Sequence, residues 1–159
     1  MEQIEIITAP DSNNRSSRRK TPERVLQSML LALNEGRISD AVADFDDQFI
    51  FADHALDLEF TVRANLADFF QKSRNLFPDA VVDVLSIRES GDQAVAEWKL
   101  TATQSVRYGN RPCRFRISLS GVTIACIQNG KVVRWSDYYD QMTSRRSGLA
   151  AHFKEWIEL

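Results

Sequence analysis

Residues 121–140 read GVTIACIQNGKVVRWSDYYD, and this stretch decides the fold. Its two β-prone runs are joined by Asn129-Gly130, the dipeptide that most strongly predicts a two-residue hairpin turn. Successive strand residues point to opposite faces of a sheet. The residues of the second run that we expect on the inner face are mostly aromatic or apolar: Val133, Trp135, Asp137 and Tyr139. The other face should carry Arg134, Ser136 and Tyr138.

Asp137 is the acidic residue on this apolar face. A carboxylate among inward aromatic rings loses hydration, which raises its pKa. A raised pKa suits a general acid or base that works near neutral pH, so Asp137 is a candidate catalytic residue. A structural role stays open at this stage, because a carboxylate that caps a turn or pairs with an arginine at the sheet rim also has a shifted pKa.

Two further segments alternate between apolar and polar residues. In 94–103 the apolar set is Trp98, Leu100 and Ala102, and in 114–120 it is Phe115, Ile117 and Leu119. Such alternation is typical of antiparallel strands with one buried and one solvated face. A run at 81–87 leads into the turn at 90–92, which predicts one more strand. The second half of the chain should therefore form a meander of long antiparallel strands.

Helices precede and follow this meander. The first should begin at Thr21-Pro22-Glu23, where Thr is a good N-cap and Pro suits the first helical position, and it should end at Gly36. A short helix at 40–45 and a long one at 61–77 complete the N-terminal half. A C-terminal helix with one apolar face should start near Ser147. Helices, then a strand meander, then a helix indicate an α+β fold.

Length and composition bound the class of protein. The 159 residues favour one domain, which we place at 21–143, after a flexible tail at 1–20 and before a helix at 144–159 packed on the same domain. Twenty Lys and Arg against 22 Asp and Glu argue against nucleic-acid binding, and no apolar run is long enough to cross a membrane. Two cysteines and no secretory signal favour a cytoplasmic protein. No phosphate-binding glycine loop, dinucleotide fingerprint or zinc motif occurs, so we expect no cofactor and no metal.

Three short motifs, in their order, resemble one known superfamily. Residues 135–140 (WSDYYD) match the W-x-D-Y-[YF]-D ending of the nuclear-transport-factor-2-like superfamily, in particular its SnoaL-like polyketide cyclase and limonene-epoxide-hydrolase branches. Residues 33–40 (LNEGRISD) are similar to the link between the family's first helices, and residues 77–79 (FPD) to the segment after its long helix. The resemblance covers 22–141. It implies a cone-shaped, curved antiparallel sheet wrapped around N-terminal helices (a cystatin-like α+β barrel), a deep apolar pocket and a homodimer.

The resemblance also implies roles for single residues. In the cyclase branch the Asp that matches Asp137 is the acid/base of an intramolecular aldol closure. The epoxide-hydrolase branch needs an Arg and an Asp where this sequence has Trp98 and Leu100, which disfavours that reaction. We therefore expect a small-molecule-pocket protein, a SnoaL-like cyclase or isomerase whose Asp acts on a small apolar carbonyl substrate. The alternative is a non-catalytic ligand-binding or dimerisation module of the same fold.

The β-prone run at 49–53 supplies the remaining candidates. Phe51 and Asp53 share one face, and if Asp53 points inward beside Asp137 the two carboxyl groups raise each other's pKa. The alternative for Asp53 is to cap the next loop. His54 is the second catalytic candidate, as a proton relay or a donor to an enolate oxygen, unless it is a rim residue bonded to the backbone. The expected substrate-binding residues are Phe51, Asp53, Trp98, Leu100, Trp135 and Tyr139, although core packing would explain the Trp and Tyr rings equally well.

Overall fold

The helices and strands of the computed structural model largely follow the predicted order. The structure describes residues 20–108 and 110–140. In chain order its elements are α1 (Pro22–Asn34), α2 (Ile38–Ala43), β1 (Phe45–Asp53), β2 (Leu58–Phe60), α3 (Arg63–Leu76), β3 (Val81–Ser90), β4 (Gln93–Tyr108), β5 (Arg111–Gln128) and β6 (Lys131–Tyr139). The predicted tail, apart from Lys20, and the predicted helix at 144–159 lie outside the described residues. Among the described helices, none has the length and apolar character needed to cross a membrane.

α1 begins where the sequence predicts, at an N-cap threonine. The Thr21 side chain accepts a hydrogen bond from the backbone N–H of Arg24 at 3.4 Å, and Pro22 occupies the first turn. The buried residues recur at helical spacing and form one apolar stripe: Val25, Leu26, Met29, Leu30 and Ala32. An amphipathic helix of this kind is stabilised mainly by packing that stripe against the sheet.

One six-stranded sheet, in the order β2-β1-β6-β5-β4-β3, forms the body of the protein. Strands β3 to β6 pair antiparallel, as the predicted meander requires. β1 differs from the expectation of an antiparallel sheet, because it runs parallel to β6. Parallel neighbours need a long crossover connection, and here α3 and the whole meander lie between the two strands. This parallel pair sets Asp53 directly beside Asp137.

The predicted α+β class, with a curved sheet around helices, is confirmed. α1 packs on β3, β4 and β5, while α3 contacts β1 and β2. The core lies between these helices and the inner face of the sheet. Its largest fully buried side chains come from both layers: Phe45, Phe51, Leu26, Met29 and Leu66.

A β-bulge in β6 corrects one detail of the predicted inner face. Ile127 pairs with Val132 and Cys126 with Arg134, so Val133 is an extra residue on the β6 side of the ladder. An extra residue of this kind shifts the alternation by one position. Val132 is therefore the fully buried residue, and the predicted inward position of Val133 is wrong. Beyond the bulge the alternation resumes, and Trp135, Asp137 and Tyr139 share the inner face as predicted.

Candidate functional site

The concave face of the sheet and the helices line a half-open cavity of about 220 Å³. Most of its wall is apolar. Its aromatic wall residues are Phe51, Phe69, Phe70, Phe77, Trp98, Trp135 and Tyr139. Its polar wall residues are Asn34, Asp53, Ser73, Arg74, Thr123 and Asp137. A half-open apolar cavity with a few polar groups has the usual composition of a small-molecule site.

Asp137 reaches this cavity from the middle of β6. Its carboxyl Oδ1 accepts a hydrogen bond from Thr123 Oγ1 at 2.5 Å, from the neighbouring position of β5. Burial, and to a smaller extent the nearby charge of Asp53, raises the pKa of Asp137 to about 7. The donors Thr123 and Trp135 oppose this rise in the pKa, because they stabilise the ionised form. At neutral pH the Asp137 carboxyl is therefore present in both protonation states.

None of the salt bridges within 20–108 and 110–140 involves Asp137. The alternative that Asp137 pairs with an arginine at the sheet rim is therefore wrong for the described residues. Burial raises the pKa of this carboxyl and the Thr123 hydroxyl lowers it only in part, whereas an adjacent guanidinium would lower it much more strongly. The geometry leaves this group able to gain and lose a proton.

Thr123 is a site residue that the sequence analysis missed. It is almost completely buried on the inner face of β5, and it also accepts a hydrogen bond from Trp98 Nε1 at 2.8 Å. A signal was present, because Thr123 interrupts an inner face that otherwise carries Leu119, Gly121, Ala125 and Ile127. A buried hydroxyl needs hydrogen-bond partners, so a threonine on an apolar inner face indicates that other polar side chains lie nearby.

Asp53 is buried beside Asp137 but has a different set of partners. Its Oδ1 accepts hydrogen bonds from the backbone N–H groups of Ala55 at 3.1 Å and Leu56 at 2.9 Å, so it does cap the next loop. Its Oδ2 accepts a hydrogen bond from the Tyr139 hydroxyl at 2.9 Å. Burial raises the pKa of Asp53, while these three bonds act to lower it. The same burial, together with the charge of Asp53, raises the pKa of Tyr139 and keeps its hydroxyl protonated.

The other predicted substrate-binding residues all line the cavity: Phe51, Trp98, Leu100 and Trp135. The Phe51 and Trp135 rings stack at 6.2 Å with 16° between their planes. The indole Nε1–H of Trp135 is fully buried, and among the described residues no group accepts a hydrogen bond from it. It nevertheless lies close enough to Asp137 to lower the pKa of that carboxyl.

His54 does not join the other predicted residues. It is exposed, and its imidazole stacks on the ring of Tyr138 at 4.4 Å, on the outer face of the sheet. Since Asp53 points inward, the next residue along the chain points to the opposite side. Its backbone N–H donates to the Asp137 carbonyl oxygen at 3.0 Å. The prediction that its side chain acts inside the cavity is therefore wrong.

A family model described as SnoaL-like polyketide cyclase matches residues 23–147. No curated protein sequence matches the chain significantly. Within 20–108 and 110–140, no group of three or more His, Cys, Asp or Glu side chains is arranged to hold a metal ion.

Several solved structures share the fold. A provisionally assigned SnoaL-like polyketide cyclase from Shewanella putrefaciens has a TM-score of 0.67 at 15% identity, over 92% of this chain and 97% of that one. IdmH from Streptomyces antibioticus, provisionally a polyketide cyclase, has a TM-score of 0.68 at 16% identity, over 79% and 96% of the two chains. AclR from Streptomyces galilaeus, provisionally a hydroxylase, has a TM-score of 0.64 at 22% identity, over 79% and 83%. At these identities the comparisons establish the fold and leave the reaction to the site itself.

Proposed function

Since this chain belongs to the SnoaL-like polyketide cyclase family, we propose that it is an enzyme in which Asp137 transfers a proton next to the carbonyl group of a small, mostly apolar ketone or polyketide-like substrate. The observation that carries this proposal is the Asp137 carboxyl, which lies in an apolar cavity, is held by a hydroxyl and has a pKa of about 7. A general acid or base is most effective when its pKa lies near the working pH.

The proposed reaction begins when the ionised Asp137 removes a proton from the carbon next to the carbonyl. The electron pair of the broken C–H bond forms a C=C bond, and the negative charge moves to the carbonyl oxygen as an enolate. In an isomerisation the protonated Asp137 returns its proton to another carbon of the same system. In a ring closure the enolate carbon attacks a second carbonyl, and Asp137 protonates the new alkoxide.

The remaining cavity residues would orient the substrate. The Tyr139 hydroxyl donates a hydrogen bond to Asp53, so the lone pairs of its oxygen can accept a hydrogen bond from a substrate hydroxyl. The ring faces of Trp98 and Trp135 offer flat apolar contact to a conjugated substrate. Trp98 and Leu100 also occupy the inner face of β4, where epoxide hydrolysis of the related branch would need an Arg and an Asp.

Exchange of carbon-bound hydrogen tests the proposal without knowledge of the full reaction. A thermal-shift screen of apolar ketones first selects compounds that stabilise the protein. NMR then measures deuterium incorporation next to the carbonyl of those compounds in D₂O. Asp137→Asn should leave the fold and the thermal shift near normal but slow the exchange by about 10²–10⁴-fold. Equal exchange with wild type and variant would leave the non-catalytic binding module as the better description.

We also propose that a second copy of the chain covers the outer face of the sheet. Val95, Ile124 and Tyr138 expose 38%, 39% and 45% of their surface there, on three adjacent strands. A contiguous apolar patch on a sheet face is typical of an interaction surface. Ile124→Lys should convert a dimer to a monomer in analytical ultracentrifugation. A monomeric wild-type protein at micromolar concentration would refute this assembly.

A further inference from the structure

We propose that Trp98 and Thr123 are positioning residues that keep Asp137 Oδ1 as a hydrogen-bond acceptor, so that the proton exchanged with the ligand is carried by Oδ2. The inference rests on the proposed role of Asp137 and specifies which of its oxygens does the chemistry. The three side chains lie on the adjacent strands β4, β5 and β6.

The directions of the two hydrogen bonds follow from the chemistry of the groups. An indole N–H can only donate, so Trp98 Nε1 donates to Thr123 Oγ1 at 2.8 Å. A hydroxyl has one proton, and Thr123, already an acceptor from Trp98, directs that proton to Asp137 Oδ1 at 2.5 Å. Trp98 thus takes one lone pair of Thr123 Oγ1 and the Thr123 proton points to Oδ1, an arrangement that keeps Oδ1 an acceptor and leaves Oδ2 as the place for the acidic proton.

Gly121 provides the space in which Trp98 can make this bond. It pairs with Trp98 across β4 and β5, and a Cβ atom at position 121 would overlap the end of the indole ring, at 2.5 Å from Cζ2. It would also lie 2.8 Å from the Tyr138 carbonyl oxygen, so the backbone leaves no room on the other side. Only glycine allows this approach, and Gly121 is thus part of the arrangement that aims the Trp98 N–H at Thr123.

The arrangement has a measurable consequence for the ionised form of Asp137. A hydrogen bond from a hydroxyl to a carboxylate stabilises the charged state, and the low polarity of the cavity strengthens it. Removing the Thr123 hydroxyl should therefore shift the titration of Asp137 to higher pH. It should also lower the turnover number at pH 7 by about 10- to 100-fold with little change in KM, because a hydrogen bond to a charged group is lost.

The test titrates the Asp137 carboxyl by ¹³C NMR in the full chain, which needs no substrate. Thr123→Val, which keeps the volume, should titrate at higher pH than wild type, and Thr123→Ser should titrate as wild type does. Trp98→Phe should move the titration in the same direction by a smaller amount, and it serves if Thr123→Val fails to fold. Thr101→Val, on the outer face of β4, is the matched control and should change nothing.

Failure of this inference and failure of the proposed function give different results. If Thr123→Val and Trp98→Phe both titrate as wild type does, Thr123 does not hold Oδ1 and the inference is overturned. If the titration shifts as expected but the wild-type protein exchanges no ketone hydrogen, the positioning role of Thr123 is supported and the proposed reaction is refuted. A parallel shift in the pH profile of the exchange rate supports both, since a purely structural role of Thr123 would not move that profile.

Discussion

Asp53 and Asp137 are direct neighbours in the parallel register of β1 and β6, yet their surroundings differ. Asp53 accepts hydrogen bonds from two backbone N–H groups and from Tyr139. Asp137 accepts one from Thr123, with the indole N–H of Trp135 nearby. Burial raises the pKa of both carboxyl groups, that of Asp137 to about 7. The two carboxyl groups line one cavity but differ in how many hydrogen bonds they accept. Asp53, with three donors, stabilises the local structure, whereas Asp137, with fewer donors, can exchange a proton.

The largest expected difference between the two aspartates is in catalysis. Asp137→Asn should reduce the rate of ketone hydrogen exchange by about 10²–10⁴-fold, because the proton acceptor is gone. Asp53→Asn keeps an amide oxygen as an acceptor for the loop, and it should retain the rate to within about 10-fold. Deuterium incorporation measured by NMR compares the two variants. Equal losses of exchange rate in the two variants would mean that the two aspartates act as one unit, and this would contradict the proposed difference between them.

The next difference is in the pH dependence of stability. An unfolded Asp titrates at about 3.9, whereas Asp137 in the fold titrates at about 7. Between these pH values the folded state binds more protons, so the free energy of unfolding falls as pH rises, by at most about 4 kcal/mol from this group. Asp137→Asn should remove this loss and exceed wild type in stability above pH 7. Urea unfolding at pH 5, 6, 7 and 8 checks this, and parallel curves for the two proteins would contradict it.

For the stability of the fold, we expect the loss of the Asp53 carboxylate to be costly, whereas the loss of the Asp137 carboxylate should mainly affect the reaction. Asp53→Ala leaves the buried N–H groups of Ala55 and Leu56 and the Tyr139 hydroxyl without their acceptor. We expect it to lower the free energy of unfolding by about 3 kcal/mol, since buried donors without partners are costly. Asp83→Ala, at an exposed position of β3, is the control and should stay within about 0.5 kcal/mol of wild type in urea unfolding. A small effect of Asp53→Ala would mean that water replaces the lost acceptor.

The smallest expected effect comes from the indole N–H of Trp135. Trp135→Phe keeps a ring stacked near Phe51 but removes the donor that lowers the pKa of Asp137. The NMR titration of Asp137 should shift to higher pH, while that of Asp53 should not move. A shift of both groups would show that the variant changes the whole cavity rather than one donor.

Much of this site could be predicted from local pattern. The hairpin at Asn129-Gly130, the alternation of β4 and that of β6 beyond its bulge place the same set of side chains on one inner face: Trp98, Leu100, Trp135, Asp137 and Tyr139. The helix start at Thr21 also follows from its own residues. These features depend on periods of two or on single caps, which a sequence displays directly. His54 obeys the same alternation, because its neighbour Asp53 takes the inward position and leaves it on the outer face, against the prediction for its side chain.

The sequence by itself thus determined the α+β class, the meander and the apolar face on which Asp137 lies. Only the tertiary structure decided that β1 joins β6 in parallel, which sets Asp53 beside Asp137, and that Thr123 bridges Trp98 and Asp137. The β-bulge at Val133 was likewise decided only by the tertiary structure. Local periodicity is fixed by a few consecutive residues, whereas these pairings depend on how distant strands bury their faces together. The chemistry of the cavity is therefore assembled by contacts between residues far apart in the chain.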